Sequence, residues 1–321
     1  MGRFAMKRIF IIALALTVAL TVVLTGCQPQ QQFLTIATGS TAGVYFPLGG
    51  GLAKIINENI RGMEASVRST GASVANVNLL AEKQVELAFI QNDIAYFGFT
   101  GTEMFVDKKN DQLRGIATIY PEVVQLVVTE ASGIRTIADL KGKRVSVGAH
   151  GSGAEANSRQ ILEAFGIRHA DFAKTDFLSF AEASTNMRDG HIDAAFVTSG
   201  FPTAAVTEMA TSINVRLIPI TGQPVQALRT LYPFYTEVTI PAGTYRGQTE
   251  DIATIAVKAM LVVRADVSEQ LVYNITKALF ANLPAFGAAH VRGKDLTLAT
   301  AQQNMPIPLH PGAERFYRAR R

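Results

Sequence analysis

Two stretches of the chain place glycine, hydroxyl and a helix start side by side: IATGSTAGVYFPLGGGLAKII from Ile36, and RVSVGAHGSGAEANSRQIL from Arg144. In the first, Ser40 and Thr41 offer hydroxyls next to Gly39 and Gly43, whose missing Cβ predicts backbone conformations closed to other residues. Tyr45 falls just inside the following helix, where its ring can cover a ligand and its hydroxyl can bond one. In the second, Ser152, Gly153 and Ala154 supply a hydroxyl and backbone N–H groups at a helix start. Unpaired N–H groups and the positive end of the helix dipole favour an anion or a carboxylate at such a place. Thr70 and Gly71 end another strand and add donors, and Gln91 carries an amide that both gives and accepts. Thr198 and Gly200 occupy the level of Gln91 in the second half. The same residues also suit ordinary work: turn closure, helix capping or, for Tyr45, the core. Asp93 reads as a cap or a cation partner rather than a ligand contact.

Rival chemistries fit less well. Gly151 to Ala156 matches G-x-G-x-x-A, but a dinucleotide site needs an acidic residue ending a strand about twenty residues on. Neither Asp171 nor Asp176 clearly ends one. His150 precedes Gly151-Ser152, yet a nucleophile elbow needs glycine two residues either side of the serine, where this chain has His150 and Ala154. The five histidines do not fall at metal-ligand spacings. The expectation is a binding protein, not an enzyme, with no cofactor and no metal.

The elements that must position these residues alternate, apolar strand with helical periodicity, which predicts an α/β fold with mostly parallel pairing. Strands are expected over Met63 to Ser69, Val85 to Ile90, Ile192 to Thr198, Val215 to Ile220 and Thr254 to Val263, with two more, Leu113 to Tyr120 and Val123 to Thr129, around Pro121. Helices are expected over Ser73 to Lys83, Ala154 to Phe165, Ser179 to Arg188, Phe201 to Met209 and Ser268 to Asn282. Leu231 to Gly247 reads as loop and extended chain, and the segment beyond Pro284 as helical, then irregular. An internal echo runs through this pattern. Each half has a strand, glycine, hydroxyl and helix, and then a matched LAEKQVELAFIQND or MRDGHIDAAFVTSG. Two lobes with facing ligand loops imply a hinged cleft, since ligands bind beyond the carboxyl ends of parallel strands.

At 321 residues the chain suffices for two domains, each with its own core. Arg3, Lys7 and Arg8 precede an apolar run and Leu24-Thr25-Gly26-Cys27, which resembles a bacterial lipobox followed by a glutamine-rich tether. Cleavage before Cys27 would take the formal +4 to +1, and four arginines in the last seven residues mean that Cys27 to Glu314 stands at −3. That balance, without a basic stripe, argues against nucleic-acid binding. Cys27 is the sole cysteine, so lipidation there leaves no thiol for disulfide, metal or catalysis.

The lipobox, TGSTAGVYFPLGGGLA, STGASVANVNLL, VELAFIQND, LKGKRVSVG, GSGAEANSRQIL, DGHIDAAF, IPAGTYRGQ and ITKALF together resemble the TAXI group of extracytoplasmic solute receptors of TRAP transporters. The resemblance runs from about Phe33 to about Leu283. It implies a type II periplasmic-binding-protein fold of two lobes: 33–122 with 240–321, and 123–239, after a signal peptide over 1–26 and a tether over 27–32. Crossovers are implied near Tyr120 to Val128 and near Pro233 to Ile240. The implied ligand is a small carboxylate or an amino acid such as glutamate, and the implied partner is a TRAP membrane permease driven by an ion gradient. The protein would be lipid-anchored at the bacterial cell envelope, on the periplasmic side if Gram-negative. A lipid-anchored sensor using the same cleft is the alternative. No arginine clamp belongs to the pattern; Arg68, Arg144 and Arg159 are candidates for one.

Overall fold

The computed structural model describes residues 31–320. The leader, Cys27 and most of the tether lie outside the described residues. Strand β1 (Gln32–Ala37) leads through a tight turn into helix α1 (Tyr45–Asn59). Leu48, Leu52, Ile55 and Ile56 recur at helical spacing and are buried against β1. The glycines inside this helix serve close packing: a Cβ on Gly49 would come within 2.5 Å of the Thr38 side chain, and one on Gly51 within 2.7 Å of Ala289. Next come β2 (Met63–Arg68), α2 (Ser73–Ala81), β3 (Leu87–Gln91) and α3 (Asn92–Thr100).

The stretch expected as two strands around Pro121 is one strand, β4 (Leu113–Thr129). Proline lacks an N–H, but its neighbours keep their pairing, so the strand continues through Pro121 rather than ending. Pro121 faces Lys258, and the register shifts between Lys258 and Met260. The second series follows: β5 (Arg144–Ser146), α4 (Gly153–Ala164), β6 (Lys174–Asp176), α5 (Phe180–Arg188), β7 (Ala194–Ser199), α6 (Ala204–Ser212) and β8 (Val215–Ile218). Helix α7 (Gln223–Leu231) was not expected from the sequence; Gly222 at φ 92° and a proline in its first turn start it. Then come β9 (Thr236–Ile240) and β10 (Ile252–Arg264).

One mixed sheet runs β2-β1-β3-β10-β4-β7-β5-β6, with β8 on β4 and β9 on β10. The internal echo is visible in it. β1 lies parallel between β2 and β3, and β5 lies parallel between β6 and β7. β4 pairs β10 along its first part and β7 and β8 along its second. β10 pairs β9 over 252–256 and β3 over 259–263. Both long strands therefore cross from lobe to lobe. The return expected near Pro233 to Ile240 holds β9, which pairs only β10, while β10 itself makes the crossing. Each lobe buries apolar side chains on both faces of its part of the sheet.

The carboxyl end is more ordered than expected. After α8 (Glu269–Ala281) and α9 (Leu283–Ala289), helix α10 (Pro311–Arg318) buries Phe316 and Tyr317. The Arg315 guanidinium lies 4.1 Å over the Tyr273 ring and pairs with Glu269 at 2.8 Å. Arg315 and Arg318 therefore belong to an amphipathic helix.

Candidate functional site

The starts of α1, α2, α4 and α5 and the ends of β3 and β7 converge between the lobes on a cavity of about 30 Å³, room for one or two water molecules. Its lining includes Ser40, Tyr45, Ser73, Gln91, Glu122, Ser152, Gly153, Ala154, Phe180 and Thr198. Among the described lining residues there is no arginine or lysine. The helix starts contribute the positive ends of their dipoles, and the N-cap residues of α1 and α2 make no side-chain cap, which leaves their first N–H groups to other partners.

The one ionisable carboxyl in the lining is Glu122, on β4 and 3 % exposed. The Tyr45 hydroxyl donates to its Oε1, and Gln91 Nε2 donates to its Oε2 at 3.4 Å. Burial pushes this carboxyl up to about 8; the bonds from Tyr45 and Gln91 oppose the shift, and the nearby Asp93 adds to it. Burial and the facing Glu122 likewise hold the Tyr45 hydroxyl well above its ordinary value. Gln91 does not cap α3 with its side chain, and its Oε1 is buried with no hydrogen-bond partner. Thr198 Oγ1 is in the same condition. Two acceptor-bearing groups, Glu122 and Gln91, thus meet at the cavity with no protein cation between them.

The jaws are shut by contacts between the lobes. Ala75 N–H donates to Gly151 O at 2.9 Å, Ala205 N–H to Ala42 O at 3.2 Å, and Ala181 N–H to the Ser40 hydroxyl at 3.4 Å. A Cβ on Gly153 would overlap Gln91 Oε1, so any larger residue there would force the Gln91 amide to move. Away from the cavity, Asn157 on α4 donates to Asp93 on α3 at 2.9 Å, and burial pushes Asp93 up to about 6. Asp93 is thus an interlobe partner.

Of the residues singled out by sequence, the structure brings Ser40, Tyr45, Gln91, Ser152, Gly153, Ala154 and Thr198 to the one cavity. Thr70 and Gly71 line a recess beside it, which Ser40 and Ser152 share. The Thr70 hydroxyl is bound locally, accepting from Ala72 N–H at 3.0 Å. Ser152 Oγ caps α4 by accepting from Glu155 N–H. Thr41 is exposed, and Gly200 packs against Arg292 and Tyr120 outside the lining. Gly39 and Gly43 do not take positive φ, contrary to expectation; they are small because Ala72 and Phe180 stand 3.2 and 3.3 Å from where a Cβ would be. In the twin loop the left-handed glycines are Gly148 and Gly151. The candidate arginines are engaged elsewhere: Arg144 with Asp193 at 2.6 Å, Arg159 with Glu155 at 3.7 Å and Arg68 with Gln84 at 3.3 Å. His150 stacks on Phe177 at 3.9 Å. Glu122 and Ser73 were missed. For Glu122 the signal is a lone carboxylate after Pro121 inside an otherwise apolar run.

A sequence profile described as the NMT1-like family matches residues 36–319. Among solved structures, the alkanesulfonate-binding protein SsuA from Xanthomonas axonopodis pv. citri, bound to MOPS, is 17 % identical, with a TM-score of 0.52 over 90 % of this chain and 84 % of that one. PhnD1 from Prochlorococcus marinus, in complex with methylphosphonate, is 13 % identical, with a TM-score of 0.55 over 83 % of this chain and 91 % of that one. Identities this low speak to fold alone: a mixed α/β, two-lobe periplasmic-binding-protein fold.

Proposed function

The chain belongs to the NMT1-like family, and we propose that it is an extracytoplasmic solute receptor which closes its two lobes over a small carboxylate or amino acid. The observation that carries this is the cavity between the lobes, beyond the carboxyl ends of β3 and β7 and at the starts of four helices. The ligands named for the two solved relatives are sulfonate and phosphonate acids. An acid group suits the helix starts of this chain for the same physical reason. Entry of anything larger than water requires the lobes to part.

The finer reading is a lipoprotein held through Cys27 that delivers its solute to an ion-gradient-driven TRAP permease. Its support is the lipobox and the ordered set of motifs from Phe33 to Leu283. The lipid-anchored sensor stays the second reading, because the same cleft would serve it. A neighbouring gene for a multi-span permease without an ATPase supports TRAP delivery; an ATPase partner or a receptor gene sinks it. Acyl groups on Cys27 by mass spectrometry test the anchor, and an intact N-terminus refutes it. The receptor reading is tested by thermal denaturation across amino acids, oxo acids and dicarboxylates, since a ligand of the folded form raises Tm by mass action. A flat response across that panel overturns it.

A further inference from the structure

Glu122 is the feature of the cavity that the receptor reading does not use. A carboxyl 3 % exposed would ordinarily be matched by a cation or removed to the surface. Here its two partners, Tyr45 and Gln91, are neutral donors. Beside it Gln91 Oε1 accepts from nothing. A pair of acceptors at a cavity wall is the arrangement that an ammonium group, with three donors and a charge, completes. The starts of α1, α2, α4 and α5 reach the same cavity and favour the opposite charge.

We propose that Glu122 is a specificity-determining residue and that the cleft takes a zwitterionic solute, its cationic nitrogen on Glu122 and Gln91 and its acid group at the helix starts. This rests on the receptor reading and narrows it to amino-bearing acids, at the expense of dicarboxylates and oxo acids. The charged and titratable groups around Glu122 leave the role to it. Tyr45 faces it from α1, Asp93 lies towards it from α3, and Tyr120 is on its own strand. Arg292 and Asp295 face Tyr120 and pair with each other at 3.2 Å, and Lys258 on β10 faces Asp295. Among the described residues no cation pairs with Glu122.

Proton release follows. Burial favours the protonated form of this carboxyl, whereas an ammonium ligand favours its carboxylate. Binding therefore expels a proton from Glu122 to solvent, and affinity rises about tenfold per pH unit until the pH passes the carboxyl's own value.

The test pairs each amino acid with its deaminated acid: L-glutamate with glutarate, L-leucine with 4-methylpentanoate, L-alanine with propionate. Tm shifts find the binder, and calorimetry in two buffers of different ionisation enthalpy counts protons. The expected result is an amino acid that binds at least about tenfold tighter than its deaminated partner and releases about one proton at pH 7. Glu122→Gln should abolish both the preference and the release. Equal or tighter binding of the deaminated acid overturns the inference and leaves the receptor reading standing. So does unchanged binding by Glu122→Gln, or release that persists in it and vanishes in Asp93→Asn. If Glu122→Gln does not fold, the paired comparison on the wild-type protein decides alone. Silence from every acid tested removes the receptor reading and this inference together.

Discussion

Tyr45 shows how one side chain can belong to core and site at once. Its ring packs 5.3 Å from Phe89, centroid to centroid, and its hydroxyl holds Glu122. Truncation to alanine should cost about 3–5 kcal/mol of stability through the cavity it leaves, so a binding defect in that variant says nothing about the site. Tyr45→Phe keeps the ring and removes one donor from a buried carboxyl, and should cost about 1–3 kcal/mol in a urea titration. A loss near that of alanine would mean that the hydroxyl, not the ring, carries the residue. The sequence placed Tyr45 at a helix start beside glycine and hydroxyls, and this was enough to bring it to the cavity. It could not place Glu122 opposite. That meeting depends on β4 running unbroken past Pro121 and pairing with β10, a contact between segments far apart in the chain.

At the level of elements, α4 meets β3 where Gly153 faces Gln91. Alanine there removes glycine's extra freedom from the unfolded chain, worth about 0.4–1 kcal/mol, yet its Cβ would strike Gln91. Gly153→Ala should thus leave thermal stability equal or higher while weakening ligand binding at least about tenfold, about 1.4 kcal/mol of closure. Small-angle scattering should show a more open particle, and Gly153→Ala with Gln91→Ala should recover closure. Unchanged scattering and affinity in the single variant would show that the lobes tolerate the contact. Elements of this kind were readable wherever period and caps agreed: Ser179 with Glu182 starts α5, and Ser268 starts α8. Helix α7 and helix α10 were not. Both carry starting signals, Gly222 with a first-turn proline for α7 and His310 with Pro311 for α10, but at nine and eight residues they are too short for the pattern to stand out from a loop.

For the whole molecule, two buried carboxyls give stability a direction in pH. Burial raises Glu122 to about 8 and Asp93 to about 6 above their ordinary values of 4.5 and 3.8. The folded state then binds more protons than the unfolded one, so their contribution is full below pH 4, falls as pH rises, and is gone above about 8. Melts should give a higher Tm at pH 5 than at pH 8, and Glu122→Gln should flatten the upper part of that slope. A Tm that climbs between those values would show both groups ionised in the fold. The two-lobe plan was legible from the repeated strand-glycine-helix grammar, and a crossover near Tyr120 to Val128 was implied by the family resemblance; that both joining strands run unbroken was not legible. The two strands that join the lobes are continuous, so the hinge is a flexure in a sheet rather than a slack loop. Pro121, opposite the register shift in β10, adjoins Glu122, so on the receptor reading the cargo would sit next to the strands that join the lobes, where the lever arm is short. A small adjustment around that carboxyl would then swing the far rims of the lobes through a larger arc. A membrane partner touching only the outer surface could thereby distinguish a loaded receptor from an empty one.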